Sequence, residues 1–239
     1  MELSIIVPTR EEQEAITGTI TQFKNVSLTH EVIVADGGSN DETVVRARKY
    51  ADHVVVFHDP IPTAGKGRNA GAKVAKGTYL AFFDAGVSLA DPEAFFIQAL
   101  SHFTKNPKLV GVAVGQRVPQ GKATLADIAF FGILNTALRL NNNVLGIGEA
   151  SGKGMLVTRE AFQKVGGFRE DIHTREDGDF FARIRKVGTT YYDPTLFVYH
   201  DARRAHAIGW SKVWWIWISN TVSFALTGKV LAKDWKPFR

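Results

Sequence analysis

The chain carries 239 residues, 45% of them apolar and 22% charged, with a net charge of +5 and no cysteine. That balance excludes a disordered chain, a disulfide framework and a thiolate metal centre, and the length suffices for one large α/β domain or two small ones. The charge is uneven: beyond Asp201 lie seven cations (Arg203, Arg204, Lys212, Lys229, Lys233, Lys236 and Arg239) against one acid, Asp234.

The run 3–7 is apolar, has no basic leader and ends at Pro8, so it reads as a first strand and not as a signal peptide. Residues 11–23 place Ile16, Ile20 and Phe23 on one helical face. A second strand, 31–35, ends on Asp36. Gly37-Gly38 then turns the chain, and Ser39 with Glu42 forms a capping-box signature for a helix through Tyr50. A third strand follows at 54–57. A helix over 67–75, made small on one side by Ala70, Gly71 and Ala75, leads into a strand at 78–83 whose apolar residues stop at Asp84. Asp91-Pro92 opens a helix with a buried stripe of Phe95, Phe96, Ala99, Leu100 and Phe103. Strands separated by helices, with acids at their ends, predict an α/β fold. Its central sheet is mostly parallel and flanked by helices, with a Rossmann-like nucleotide-binding half over 1–117.

The remainder is less regular. A strand at 109–116 precedes an amphipathic helix over 124–140 with Leu125, Ile128, Ala129, Leu134 and Leu138. The Gly- and Asn-rich passage 141–154 keeps neither period and is expected to be a mobile loop. After a strand at 155–158, Thr158 caps a helix over 159–165 that Gly166-Gly167 stops. A helix over 176–187 turns Phe180, Phe181, Ile184 and Val187 inward, and a strand at 196–199 ends on His200. No linker or repeat divides the chain. Residues 1–204 therefore read as one domain, with 118–204 on the acceptor side and 205–239 as an aromatic, basic helical tail.

Four clusters carry candidate chemistry. Gly65-Lys66-Gly67-Arg68-Asn69-Ala70-Gly71 fits neither the dinucleotide fingerprint nor a Walker loop. Its amides with Lys66 and Arg68 near a helix start suit a diphosphate, or form a solvated basic turn. Asp36 and Asp84 end strands on one sheet edge, where open α/β sheets bind ligands, although each can also cap a helix. In His173-Thr-Arg175-Glu176-Asp177-Gly-Asp179, the acids either stabilise a helix start by about 0.3–1 kcal/mol or supply a general base. His200, beside Asp201 and the Arg203-Arg204 pair, is a structural imidazole or a metal ligand.

Together these stretches resemble the family 2 glycosyltransferases of GT-A fold, over about residues 3–204. Ser4-Ile-Ile-Val-Pro8-Thr9-Arg-Glu11 is similar to the family's opening strand and nucleotide-contacting turn. Asp36-Gly-Gly-Ser39-Asn-Asp41-Glu-Thr43 is similar to its Asp-Gly-Ser-x-Asp-x-Thr segment, whose first acid contacts the nucleobase. Residues 67–77 resemble the stretch before the metal motif, and 154–168 with Glu176-Asp177 resemble the acceptor-side signature that ends in the base motif.

The resemblance implies inverting transfer of a sugar from a nucleotide diphosphate sugar to an acceptor hydroxyl or lipid phosphate. Asp177 is then the base and Glu176 its orienting partner. Pro8, Thr9, Glu11, Asp36, Gly65, Lys66, Arg68, Asn69, Asp84 and Ala85 contact the donor. Asp84 and His200 hold a divalent ion (Mg²⁺ or Mn²⁺), and Arg203 and Arg204 face the diphosphate or acceptor. Ser88, residues 149–153 and Met155 are expected to shape donor choice. The departure is Gly86, where the family commonly has a second, metal-binding acid. Three readings stay open: a metal held by Asp84 and His200, cations in its place, or binding without transfer.

Trp210, Trp214, Trp217 and Thr221 recur at helical spacing among cations. They predict a helix over 208–227 that lies in a membrane interface, on the domain's own core or on a second subunit. The uncharged run is short for a full span, and Ser219, Asn220, Thr221 and Ser223 interrupt it. Membrane contact suits a lipid-linked acceptor such as a polyprenyl phosphate, as opposed to a soluble glycan. The expected location is cytoplasmic, peripheral on the inner membrane face, and no nucleic acid partner is expected. A catalytically inactive nucleotide-sugar-binding or scaffolding protein is the alternative of a different class. A nucleotidyltransferase wants more glycine than Thr9-Arg-Glu-Glu12 supplies, and an NAD-dependent oxidoreductase fails on the glycine spacing.

Overall fold

A computed structural model describes residues 2–227; the tail cations Lys229, Lys233, Lys236 and Arg239 and the side chain of Arg204 lie outside the described residues. Strands β1 (Leu3–Thr9), β2 (His30–Asp36), β3 (His53–Val56), β4 (Tyr79–Phe82), β5 (Leu109–Arg117), β6 (Met155–Thr158) and β7 (Thr189–Tyr199) form one sheet in the order β3-β2-β1-β4-β6-β5-β7. β1 to β4 run parallel, as do β5 and β7, while β6 lies antiparallel between β4 and β5. The expected mostly parallel sheet is therefore present, and the insertion of β6 makes the two halves share it.

The helices are α1 (Ile16–Thr21), α2 (Thr43–Ala47), α3 (Ala64–Val74), α4 (Pro92–Lys105), α5 (Leu125–Asn143), α6 (Arg159–Lys164), α7 (Glu176–Ile184), α8 (Arg203–Ile208) and α9 (Trp210–Thr227). Alternating strand residues feed two buried clusters, one on each face of the sheet. Leu3, Ile5, Val7 and Phe83 pack with α1 and α4, where Phe23, Phe95 and Phe96 meet Phe83 ring to ring. Ile6, Ile33, Leu80 and Phe82 pack with α5, α6 and α7 through Phe162, Phe168 and Phe180. Helix α3 approaches β1 closely: a Cβ on Gly71 would lie 2.5 Å from Ile6 Cγ2.

Several elements differ from expectation. Pro8 does not end β1, because β4 stops pairing at Ile6↔Phe82 and Pro8 has a strand neighbour only at Ala35. Helix α1 starts five residues late, because residues 11–13 form a turn bonded to Ser39, Thr43 and Asp41. Ser39 is consequently not a cap, and α2 starts at Thr43 with no side-chain cap. On α5 the buried stripe is Asp127, Phe130, Phe131, Leu134 and Leu138, which leaves Leu125 86% exposed and Ile128 outward. The passage expected to be mobile is tied down: Asn142 bonds the Glu149 carbonyl at 2.7 Å, and Ser151 bridges Gly154. Strand β7 begins seven residues earlier than read, because Asp193-Pro194 sits in a bulge that hides the period. Helix α8 crosses the expected boundary at 204.

Candidate active site

The carboxyl ends of β1, β2 and β4 open onto one crevice, closed on the far side by the start of α7. At its first wall, Thr9 Oγ1 donates to Asp36 Oδ2 at 2.9 Å, and Asp36 also accepts from the Gly38 and Ser39 amides and the Ser39 hydroxyl. Asp36 is fully buried with four donors. It holds the turn after β2 and presents no open edge for the nucleobase contact expected of it. Glu11 (φ 57°) sits on this wall with its amide on Ser39 Oγ at 2.7 Å. The other non-glycine residue with positive φ among those described, Arg175 (φ 62°), stands on the opposite wall immediately before Glu176. Both departures from ordinary backbone flank the crevice.

The glycine-rich stretch is helix and not loop. Thr63 caps α3 by accepting from the Lys66 amide, and Gly65 and Gly67 admit the Arg169 carbonyl and Pro8 against the helix. Lys66 Nζ is turned to Asp59 Oδ1 at 2.7 Å and the Ile61 carbonyl at 3.0 Å. Asn69 ties α3 to the Phe168 backbone and Glu170. Arg68, only 1% exposed, bonds Asp84 Oδ1 through Nη2 and Glu176 Oε1 through Nη1, each at 2.8 Å. It joins the end of β4 to the start of α7 and shows no free face to a ligand.

Asp84 lies two residues past β4, beside buried Ala85. Its second oxygen faces Lys153 Nζ at 3.2 Å. Burial alone would raise its pKa; Lys153 and Arg68 outweigh that and hold the carboxyl below its ordinary range. Gly86 has φ +83°, and a Cβ there would lie 3.1 Å from Arg203 Nη2. Arg203 also reaches Asp201 Oδ1 at 3.0 Å and Glu12 Oε2 at 3.8 Å. His200 points its ring nitrogens at Gln116 Oε1 (3.0 Å) and the Asp201 carbonyl (3.1 Å). Burial, then the nearby Lys153 charge, push its pKa down to about 4, so it is neutral at pH 7.

A divalent ion fits this set poorly. Hard cations take several oxygen ligands, yet among the described residues no three His, Asp or Glu side chains converge. Asp84 already has a cation on each oxygen.

Across the crevice, Asp177 Oδ2 accepts from the Gly152 amide at 2.5 Å and Oδ1 from the Gly178 amide at 2.8 Å. Two backbone donors thus fix its orientation. Burial first, then the neighbouring Asp177 charge, raise Glu176 to about 7 despite Arg68. Arg175 Nη1 donates to Thr221 Oγ1 of α9 at 2.7 Å, so the aromatic helix touches the same wall. The nine-residue helix α7 adds its positive end to three first-turn acids.

A profile described as Glycosyl transferase family 2 matches residues 4–166. The chain belongs to this family. An uncharacterized glycosyltransferase of Rickettsia typhi is 24% identical over 231 residues, spanning 84% of this chain and 65% of that protein. The succinoglycan biosynthesis protein ExoA of Rhizobium meliloti is 27% identical over 217 residues, spanning 86% of this chain and 65% of its own length. The chain thus spans just under two thirds of these relatives. Among solved structures, the mannosyltransferase PcManGT of Pyrobaculum calidifontis, in complex with GDP-Man and Mn²⁺, superposes with a TM-score of 0.73 at 18% identity. It covers 98% of this chain and 65% of that one. S. aureus TarS in complex with UDP-GlcNAc gives a TM-score of 0.63 at 17% identity, over 83% of this chain and 58% of that one. These likenesses establish the GT-A fold.

The structure brings together Arg68, Asp84, Glu176, Asp177, His200 and Arg203, and ties Lys66 and Asn69 to neighbouring groups of the protein. The sequence does not mark Glu12 and Gln116 as site residues, and it places Gly152 and Lys153 only in a pocket for donor choice. The glycine-rich turn 151–154 carries a lone lysine and no periodicity, so its proximity to Asp84 has no local signal.

Proposed function

We propose that this chain transfers a sugar from a nucleotide diphosphate sugar to an acceptor oxygen, with inversion at the anomeric carbon. The observation that carries the reading is Asp177, held by two backbone amides at the start of α7 and close to the Arg68 guanidinium that also bonds the strand-end Asp84. In the reaction the acceptor oxygen attacks the anomeric carbon and the bond from that carbon to the diphosphate oxygen breaks. Asp177 takes the acceptor's proton, and the nucleoside diphosphate leaves with the bonding pair. Glu176, locked to Arg68, positions the base. The divalent ion implied by the resemblance finds no fitting donor set here, and no step is routed through it. A thermal-shift and hydrolysis screen across UDP-, GDP- and dTDP-sugars tests the reading. Stabilisation by at least one donor is expected, and none by any donor contradicts it.

A second reading concerns the acceptor. No helix among the described residues is long and apolar enough to cross a membrane. Trp210, Trp214 and Trp217 pack on Phe130 of α5, and Trp210 Nε1 donates to buried Asp127 at 2.9 Å. That leaves Leu125, Ile128 and Ile133 of α5 and Trp215 (73% exposed) and Ile218 of α9 facing outward. Over residues 118–148 the one acid is Asp127, which is fully buried, whereas Lys122, Arg139 and Lys212 are exposed. An apolar surface with cations and no exposed acid suits an anionic lipid bilayer, and with it a lipid-linked acceptor. Flotation with phosphatidylglycerol vesicles is expected to carry the protein upward, and Trp215→Glu to abolish this. No flotation of the unaltered chain removes the membrane reading.

A further inference from the structure

We propose that Lys153 and Arg203 are the diphosphate-binding cations of this chain and stand in the place of a divalent ion; this rests on the nucleotide-sugar reading above. Three observations converge on it. The position from which a second acid would reach the crevice is Gly86. The space in front of it is filled by a guanidinium, since a Cβ there would lie 3.1 Å from Arg203 Nη2. Asp84, the acid that remains, is bound on both oxygens, by Arg68 from inside the protein and by Lys153 from the crevice. His200, the remaining candidate ligand, directs its two nitrogens at oxygens of Gln116 and Asp201. A metal entering here would have to displace Lys153 or Arg68 to reach an oxygen of Asp84.

Both cations are built to receive an anion. Lys153 is 35% exposed and Arg203 41%, whereas Arg68 is 1% exposed. Arg203 is held by Asp201 at 3.0 Å and only loosely by Glu12 at 3.8 Å, so guanidinium donors remain for a phosphate. Lys153 belongs to the short turn between Ser151 and Gly154, which is pinned to the sheet by β6 and to the base by the Gly152 amide on Asp177. The turn that carries the leaving-group cation is therefore bonded to the residue that takes the acceptor's proton. As the anomeric carbon–oxygen bond breaks, the negative charge that gathers on the departing diphosphate meets two fixed cations, which need no reorganisation at that moment.

The test is calorimetric titration of UDP, GDP, dTDP, ADP and CDP into the full chain, in EDTA and in MnCl₂, with the Mn²⁺ electron paramagnetic resonance signal followed in parallel. The proposal expects at least one nucleotide to bind with affinity that changes less than about threefold between EDTA and Mn²⁺. It expects no loss of free-Mn²⁺ signal beyond that caused by the nucleotide alone. Lys153→Ala and Arg203→Ala should each weaken binding about tenfold, and Lys153→Arg should restore most of it, with every variant still unfolding in one cooperative transition. Binding that appears only with Mn²⁺, or affinity indifferent to both alanine variants, overturns the cation assignment and leaves the nucleotide-sugar reading standing. No binding of any nucleotide in either condition overturns both.

Discussion

On its inner side Asp84 meets Arg68, a guanidinium sealed between the sheet and α7 that also bonds Glu176. On its crevice side the same carboxylate meets Lys153, with Arg203 beyond it, and both are open to solvent. One acid thus divides two populations of positive charge. The inner one is sealed among protein partners, with the Arg68 Nε buried and unbonded, and serves the architecture; the outer one has donors to spare and faces the space a ligand would fill. A basic residue near a strand end is therefore no guide to binding until its partners are counted, and Arg68, in the glycine-rich stretch that drew attention in the sequence, belongs to the architecture.

The contrast breaks most visibly in stability. Arg68→Met leaves the partly buried Asp84 and Glu176 without the guanidinium they share and is expected to cost about 3–5 kcal/mol, read from urea unfolding. Lys153→Met removes a partly exposed ion pair and should cost about 1 kcal/mol or less. Equal losses for the two variants would erase the distinction between inner and outer cations.

A smaller effect separates the two regions by pH. Glu176 on the inner side titrates near 7 in the folded chain, against about 4.3 in an unfolded one. The folded state keeps this proton longer, so the stability Glu176 contributes is complete below about pH 4.3 and is lost as pH rises to 7. His200 on the crevice side has the opposite sign. Its pKa is depressed to about 4, against about 6.5 unfolded, so its contribution is complete above pH 6.5 and is lost as pH falls. The two windows overlap and the contributions oppose each other there, so relative to the parent chain the unfolding midpoint should fall more steeply with rising pH in His200→Gln and rise more steeply in Glu176→Gln. Identical profiles for both variants and the parent chain would contradict both environments.

The fold was largely legible because it rests on local signals: apolar strands that end on acids, Asp91-Pro92 at the start of α4, Gly166-Gly167 after α6. Capping was less so. Ser39 had the spacing of a cap, but the hydroxyl serves Asp36 and Glu11, partners 3 and 28 residues away, and long-range bonds leave no period to read. The same limit explains α5, which carries large apolar residues on more than one face (Leu125, Ile128 and Ile133 beside Phe130, Phe131 and Leu134), so that periodicity alone cannot say which stripe meets the sheet. In the site, the acids at strand and helix ends were visible one by one. Which cation each acid meets was not, because Arg68 and Glu176 lie 108 residues apart and Lys153 sits on a turn with no pattern of its own.

The proposed role of Asp177 is to remove the acceptor's proton in a crevice that binds the donor without its help. The most direct measurement is release of nucleoside diphosphate from the donor that stabilises the chain, compared between the parent and Asp177→Asn, with donor affinity measured on the same samples. Turnover should fall by about 10²–10⁴ while affinity stays within about threefold. Undiminished turnover, or loss of donor binding with the amide in place, would contradict it.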